Sequence, residues 1–154
     1  MGTSLVARGV PTDACFEAFN VEDPGLIGSV HEGFVEAGSR VILTNTFGAN
    51  RFKLNRHGLK GRTAELNARG AEIARRPDVL VAGSVGPLGV RLAPYGRVRP
   101  SEARDAYAEQ IGALAESGVD LIFIETQSDL VEMEQAIAAA REVTGLAVVV
   151  SATY

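Results

Sequence analysis

The sequence is short of the features that make several function classes easy to assign. One cysteine, Cys15, occurs in 154 residues, so no disulfide framework can form within the chain and a reducing compartment is expected. No run of eighteen apolar residues exists and no signal-peptide layout opens the chain, so neither a membrane span nor export is expected. The start Met1-Gly2 has Val6 where a myristoylation signal needs Ser or Thr. Basic charge is also in deficit: fifteen Lys and Arg face nineteen Asp and Glu, for a net charge of -4 and a pI near 5.2. No field is available to attract nucleic acid or an anionic membrane. There is no H-E-x-x-H, no C-x-x-C and no Cys-His cluster with ligand spacing. His31 and His57 read as structural or solvated, and Cys15 as a loop or packing thiol. A cytoplasmic protein with neither nucleic acid nor membrane as partner is expected.

What the sequence does contain is a regular alternation. Hydrophobic residues make up 46%, enough for one domain with a real core over residues 1–154. Asp23-Pro24 opens a helix whose apolar face is Leu26, Ile27, Val30, Phe34 and Val35, with Gly38 as its stop. A buried strand follows at 41–46. A weaker helix over 62–75 has Ala64, Ala71 and Ala74 on its small-residue face and leads to the strand "DVLVAGSVGP". A third helix, from near Ser101, buries Tyr107, Ile111 and Leu114 before Gly118 and the strand "VDLIFIET". The fourth is capped by Asp129 with Glu132 at capping-box spacing. Its stripe is Leu130, Met133, Ile137 and Ala140, and "LAVVVSATY" is the last strand.

Helices alternating with wholly apolar strands indicate the α/β class with a parallel sheet. An internal repeat sharpens this, since "EAGSRVILTNT" (36–46) aligns without gaps on "ESGVDLIFIET" (116–126). "DVLVAGSVG" stands halfway between them. A helix-strand unit recurring about every 40 residues fits a (β/α) barrel better than an open sheet. The repeat makes Asn45 and Glu125 equivalent, on strands two apart, at the C-terminal strand ends where barrel sites gather. No strand precedes the first helix, and four strands cannot close an eight-stranded barrel, so an incomplete domain with two open sheet edges is expected.

Glu125 follows four apolar residues, where a carboxylate is costly unless paired or needed. It could be an exposed strand-end Glu, or one that binds a substrate ammonium or moves a proton. Thr44, Asn45 and Thr46 offer neutral hydrogen bonds to a ligand, or cap the following loop. Gly83-Ser84-Val85-Gly86-Pro87-Leu88-Gly89 reads as a shaping turn. The next helix starts too far on for a nucleotide-binding strand-glycine-helix turn, which disfavours a phosphate-binding α/β protein.

"MGTSLVARGV", "CFEAFNVEDPGLIGSVHEGFVEAGSRVILTNTFGANRFKLNRHGL", "ELNARGAEIAR", "VAGSVGPLG" and "VDLIFIETQSDLVEMEQAI" together resemble the homocysteine S-methyltransferase domain. That domain occurs in methionine synthase, betaine–homocysteine methyltransferase and bacterial fusions with a methylenetetrahydrofolate reductase, toward which "ARGV" and "NRHGL" lean. The resemblance implies a partial (β/α)8 TIM barrel, about strands 2 to 5 with their helices, lacking strand 1 and the C-terminal half. It implies methyl transfer to the sulfur of homocysteine to form methionine, as part of a longer parent enzyme. Only about 3% of a free thiol is thiolate at pH 7. The family deals with this through zinc held by three cysteine thiolates, and by this resemblance those ligands and the first-strand aspartate fall outside the chain. It therefore implies no catalytic residue and no metal ligand here, and inactivity of the chain alone. Glu125 looks like the carboxylate that receives the homocysteine amino group, with Asn45, Thr46 and Phe47 in the same pocket wall. The methyl donor, of folate, betaine or sulfonium type, and any fused reductase or cobalamin module stay open. The alternative is a non-catalytic half-barrel that associates with itself or a partner through its open edges.

Overall fold

A computed structural model describes residues 1–153. Its elements follow in the order α1 (Gly2–Val6), a 3-10 turn (Phe16–Ala18), α2 (Phe19–Glu22), α3 (Pro24–Glu36), β1 (Val41–Leu43), α4 (Arg51–Arg56) and α5 (Thr63–Ala74). Then come β2 (Leu80–Val85), α6 (Pro100–Glu116), β3 (Leu121–Gln127), α7 (Leu130–Val143) and β4 (Ala147–Ala152). Tyr154, the predicted end of the last strand, lies outside the described residues.

The four strands form one parallel sheet in the order β1-β2-β3-β4. Sequential order with right-handed crossovers places every connecting helix on the same face, and burial agrees. Ile42, Val81, Ile122 and Ile124 point into the helix layer at 3% exposure or less. Val41, Leu43, Leu80 and Val149 alternate with them onto a bare face and are 39 to 51% exposed. A sheet clad on one side only is barrel geometry, in contrast to the two-sided cladding of a doubly wound sheet.

The main core lies between the sheet and α6 and α7, around Tyr107, Ile111, Leu114, Ile122 and Ile124. Ala136, Ala139 and Ala140 of α7 are wholly buried, as are Ala103 and Ala106 of α6, so these helices pack through their smallest side chains. A smaller cluster of Leu5, Val10, Ile27 and Val30 ties the N-terminal segment onto α3.

Several sequence expectations need correction. Phe34 is 44% exposed and Leu130 63% exposed, and Ala64 is exposed while Leu66, Asn67 and Gly70 take the buried face of α5. Asp129 does cap α7, accepting from the amides of Val131 and Glu132. The Glu132 carboxylate, however, turns inward: its Oε1 accepts from Leu88 N at 2.6 Å and from the Tyr107 hydroxyl at 2.7 Å. Two buried donors without other partners hold a carboxylate more strongly than one helix-end amide that water can serve. That inward turn moves the stripe of α7 off Leu130.

β1 also ends sooner than predicted, and the reason positions the site. After Thr44 N bonds Ala82 O, side chains replace the backbone ladder. Ser84 N donates to Thr44 Oγ1 at 2.9 Å, and Thr46 Oγ1 donates to Ser84 O at 2.7 Å. The two threonine oxygens lie 2.6 Å apart. With the Thr46 proton spent on the carbonyl, Thr44 must donate to Thr46, so a closed ring of hydrogen bonds begins and ends on Ser84.

Candidate functional site

At the C-terminal ends of β1, β2 and β3 lies a cavity of about 350 Å³. Met1, Gly2 and Phe16 form one side of it, and Leu43, Thr44, Asn45, Phe47, Ser84 and Glu125 the other. Two hollows of about 390 and 480 Å³ at the opposite strand ends are lined by Arg75, Arg76 and Asp120 or by Arg40 and Asp78. Asp120 is committed there to structure, accepting from Val81 N at 2.7 Å. In a barrel that end serves stability, so the 350 Å³ cavity is the candidate site.

Glu125 faces the cavity in phase with Leu121 and Phe123, and a bulge follows it. Ile124 pairs with Val150 but Gln127 with Ala152, so Glu125 and Thr126 together oppose one residue of β4. Thr126 takes a φ of 60°, which is strained for a β-branched side chain. The extra residue breaks the strand alternation beyond Glu125, so Gln127 is buried toward Tyr107 at 2% exposure. Ser84 Oγ donates to Glu125 Oε1 at 2.5 Å, and the threonine ring fixes the backbone of Ser84. The second carboxylate oxygen is left for a ligand.

Asn45 stands at the equivalent place on β1's end, 4% exposed. Its Nδ2 donates to Phe16 O at 2.7 Å and to Asn20 Oδ1 at 3.0 Å. Asn20 in turn donates to Asn45 O and Leu66 O. With every amide proton committed, Oδ1 of Asn45 is the atom it can offer, and it is an acceptor. The site therefore presents a carboxylate oxygen and an amide oxygen, a set suited to a cationic ammonium.

Phe47 forms the outer wall. Its ring lies against Gly86, where a Cβ would come within 2.5 Å of the ring, and Lys53 Nζ sits 4.5 Å from its centroid. Thr46 is the exception among the four residues expected in the pocket wall: it is wholly buried and its hydroxyl is spent on Ser84. It stands behind the wall and positions it.

Sequence reasoning missed Glu17, Asn20, Ser84 and Lys53. Glu17 Oε1 accepts from Gly48 N at 2.6 Å and holds the turn that carries Phe47. Nothing in residue spacing marks a Glu and an Asn before the first long helix as partners of a loop about thirty residues on. Ser84 could have been found, since it is the polar residue in an otherwise apolar strand at the level of Asn45 and Glu125.

No three His, Cys, Asp or Glu side chains come together to hold a metal among the described residues. Burial, and after it the Glu17 carboxylate, pushes the Cys15 thiol up to about 11. That is the reverse of what a thiolate ligand needs. The described residues do not fit a three-thiolate zinc. No helix is long and apolar enough to cross a membrane among them.

The family model described as Homocysteine S-methyltransferase matches residues 1–154. Methionine synthase of Mycobacterium tuberculosis is 33% identical over 156 residues, covering 92% of this chain and 13% of its own length. Homocysteine S-methyltransferase of Escherichia coli is 34% identical over 155 residues, covering 87% of this chain and 50% of its own. Among solved structures, the metallated homocysteine methyltransferase MmuM from Escherichia coli matches with a TM-score of 0.82 at 25% identity. That match covers 96% of this chain and 59% of MmuM. The chain thus spans at most about half the length of these curated relatives.

Proposed function

Because the chain belongs to the homocysteine S-methyltransferase family, we propose that it holds the amino-acid end of a homocysteine pocket in a longer methyltransferase. The parent protein transfers a methyl group to the sulfur of homocysteine to form methionine, and residues 1–154 make up an incomplete (β/α) barrel domain. The observation that carries this reading is Glu125, a carboxylate aimed into the 350 Å³ cavity with one oxygen held by Ser84. The free oxygen of Glu125 and Oδ1 of Asn45 accept from the substrate ammonium, while Phe47 and Leu43 cover its methylenes. Because Ser84 and Asn20 hold the two acceptors in place beforehand, little ordering is needed at binding. The thiol end must lose its proton to become a nucleophile. No cluster among the described residues could hold a metal for that step, and zinc belongs to the parent protein on this reading. The matches do not favour the alternative of a non-catalytic half-barrel.

The test compares L-homocysteine with 4-mercaptobutyrate, which lacks the amino group, by calorimetric titration of the chain and of Glu125→Gln. An ammonium–carboxylate contact in a partly enclosed cavity is worth about 1.5–3 kcal/mol, roughly 10- to 100-fold in affinity. Deleting the ammonium and neutralising Glu125 should each cost that much, and both together little more, because they break one interaction. Equal binding of the two ligands by the unaltered chain would sink the assignment.

A further inference from the structure

A second hollow, of about 240 Å³, lies on the far side of Phe47, lined by Ala14, Cys15, Glu17, Lys53, Arg56 and His57 among others. It shares Phe16, Glu17 and Phe47 with the amino-acid cavity, so the two are neighbours across one wall.

Lys53 in this hollow is held in place with nothing to hold. Its stem passes between two glycines: a Cβ on Gly48 would come within 3.2 Å of Lys53 Cδ, and one on Gly89 within 3.0 Å of Cε. Gly89 also takes a φ of +74°, where other residues are strained. The half-buried ammonium rests over the Phe47 ring. Among the described residues it has no carboxylate within ion-pair distance and no hydrogen-bond acceptor. Arg56 reaches the same place, anchored by a hydrogen bond from its guanidinium to Gly89 O. The one acid of the hollow, Glu17, is committed: Gly48 N donates to its Oε1, and Cys15 Sγ to its Oε2 at 3.5 Å. Burial lowers the Lys53 ammonium below its ordinary range, with the Glu17 and Glu132 carboxylates acting against that and Arg56 adding to it. Two positioned cations beside one engaged carboxylate leave a net positive hollow, and a partly desolvated ammonium without a counterion gains most from an anion.

We propose that this hollow is an anion subsite in which Lys53 and Arg56 take a carboxylate of the second substrate, the methyl donor. The donor assignment rests on the methyltransferase reading, whereas anion binding does not.

The experiment titrates the isotope-labelled chain with sodium acetate at constant ionic strength, following the amide resonances of Gly48, Lys53 and His57. Saturable shifts in the millimolar range are expected. Lys53→Met should weaken them about fivefold, as the loss of one partly screened charge pair would, and Lys53→Arg should retain them. Arg56→Gln should weaken them to a lesser degree. The titration is repeated with L-homocysteine at saturation. Persistence of the acetate response assigns the anion to a second ligand, whereas its loss by competition gives the subsite to the amino acid's own carboxylate and overturns the proposal. Shifts that do not saturate, or that Lys53→Met leaves unchanged, overturn it as well. Glu125→Gln separates the two readings: it should weaken the homocysteine response roughly 10- to 100-fold and keep the acetate response.

Discussion

Two glycines offer the same steric insult to different surroundings, and their alanine variants should separate. At Gly70 in α5, an added Cβ meets Thr46 Cγ2 at 2.6 Å and Asn20 Nδ2 at 2.8 Å. Both neighbours are 0% exposed, so neither can yield without moving what lies behind it. Displacing Asn20 breaks its bonds to Asn45 O and Leu66 O. A buried polar group left unpaired costs about 1–3 kcal/mol, and overpacking costs about as much again. Against this stands a gain of about 1 kcal/mol, because alanine suits a helix interior better than glycine. The net loss for Gly70→Ala is then about 1–5 kcal/mol, or roughly 3–15 °C in Tm at about 3 °C per kcal/mol for this chain length. At Gly86, the Cβ meets three Phe47 ring atoms at 2.5 to 2.7 Å. Phe47 is only partly buried and borders an open cavity, so its ring can swing aside for about 1 kcal/mol. The ring then enters the amino-acid cavity, and L-homocysteine should bind roughly tenfold more weakly. Thermal melting and calorimetric titration of both variants check this. A Gly70→Ala protein as stable as the parent, or a Gly86→Ala protein that melts lower than Gly70→Ala, would refute the reasoning from neighbour mobility.

Two further outcomes follow from buried polar groups away from the cavity. His31 is 1% exposed with Nε2 unpartnered, and burial first, then Arg76 and the N-terminus, pushes its pKa from 6.5 down to about 4. The unfolded chain then binds the proton more readily, so this group's contribution falls as pH drops from 6.5 toward 4, by roughly 3 kcal/mol in all. Urea unfolding at pH 7 and pH 4.5 should show His31→Leu losing less stability than the parent, and parallel losses would exclude the effect. The wholly buried Tyr107 is kept protonated by burial and by the neighbouring Glu132 carboxylate, which push its hydroxyl well above its ordinary range. It is therefore a constant donor to Glu132, and Tyr107→Phe should cost about 1.5–3 kcal/mol in urea unfolding. A loss below about 0.5 kcal/mol would mean that Leu88 N and water suffice for the carboxylate.

The sequence by itself determined the order of the four strands and the four long helices alternating with them, and the parallel α/β class; the short helices α1, α2 and α4 carry no such signal. Strand runs such as Leu121 to Ile124 are apolar on every residue, and the glycine-terminated helices between them recur at a fixed interval. Such periodic signals are local, so they survive without knowledge of any partner. The same repeat brought Asn45 and Glu125 to one level, and both line the cavity. Tertiary structure decided what each polar side chain is spent on, because that depends on donors and acceptors distant in the chain. Thr46 and Asn45 are neighbours of equal promise in the sequence. One is consumed by Ser84, 38 residues on, while the other keeps an oxygen free because Phe16 and Asn20 take its protons. Glu132 looks like a helix cap until Tyr107 and Leu88 claim it. The positive hollow around Lys53 was invisible for the same reason: its walls come from Gly48, Gly89 and Glu17, and it exists only once the fold has brought them together.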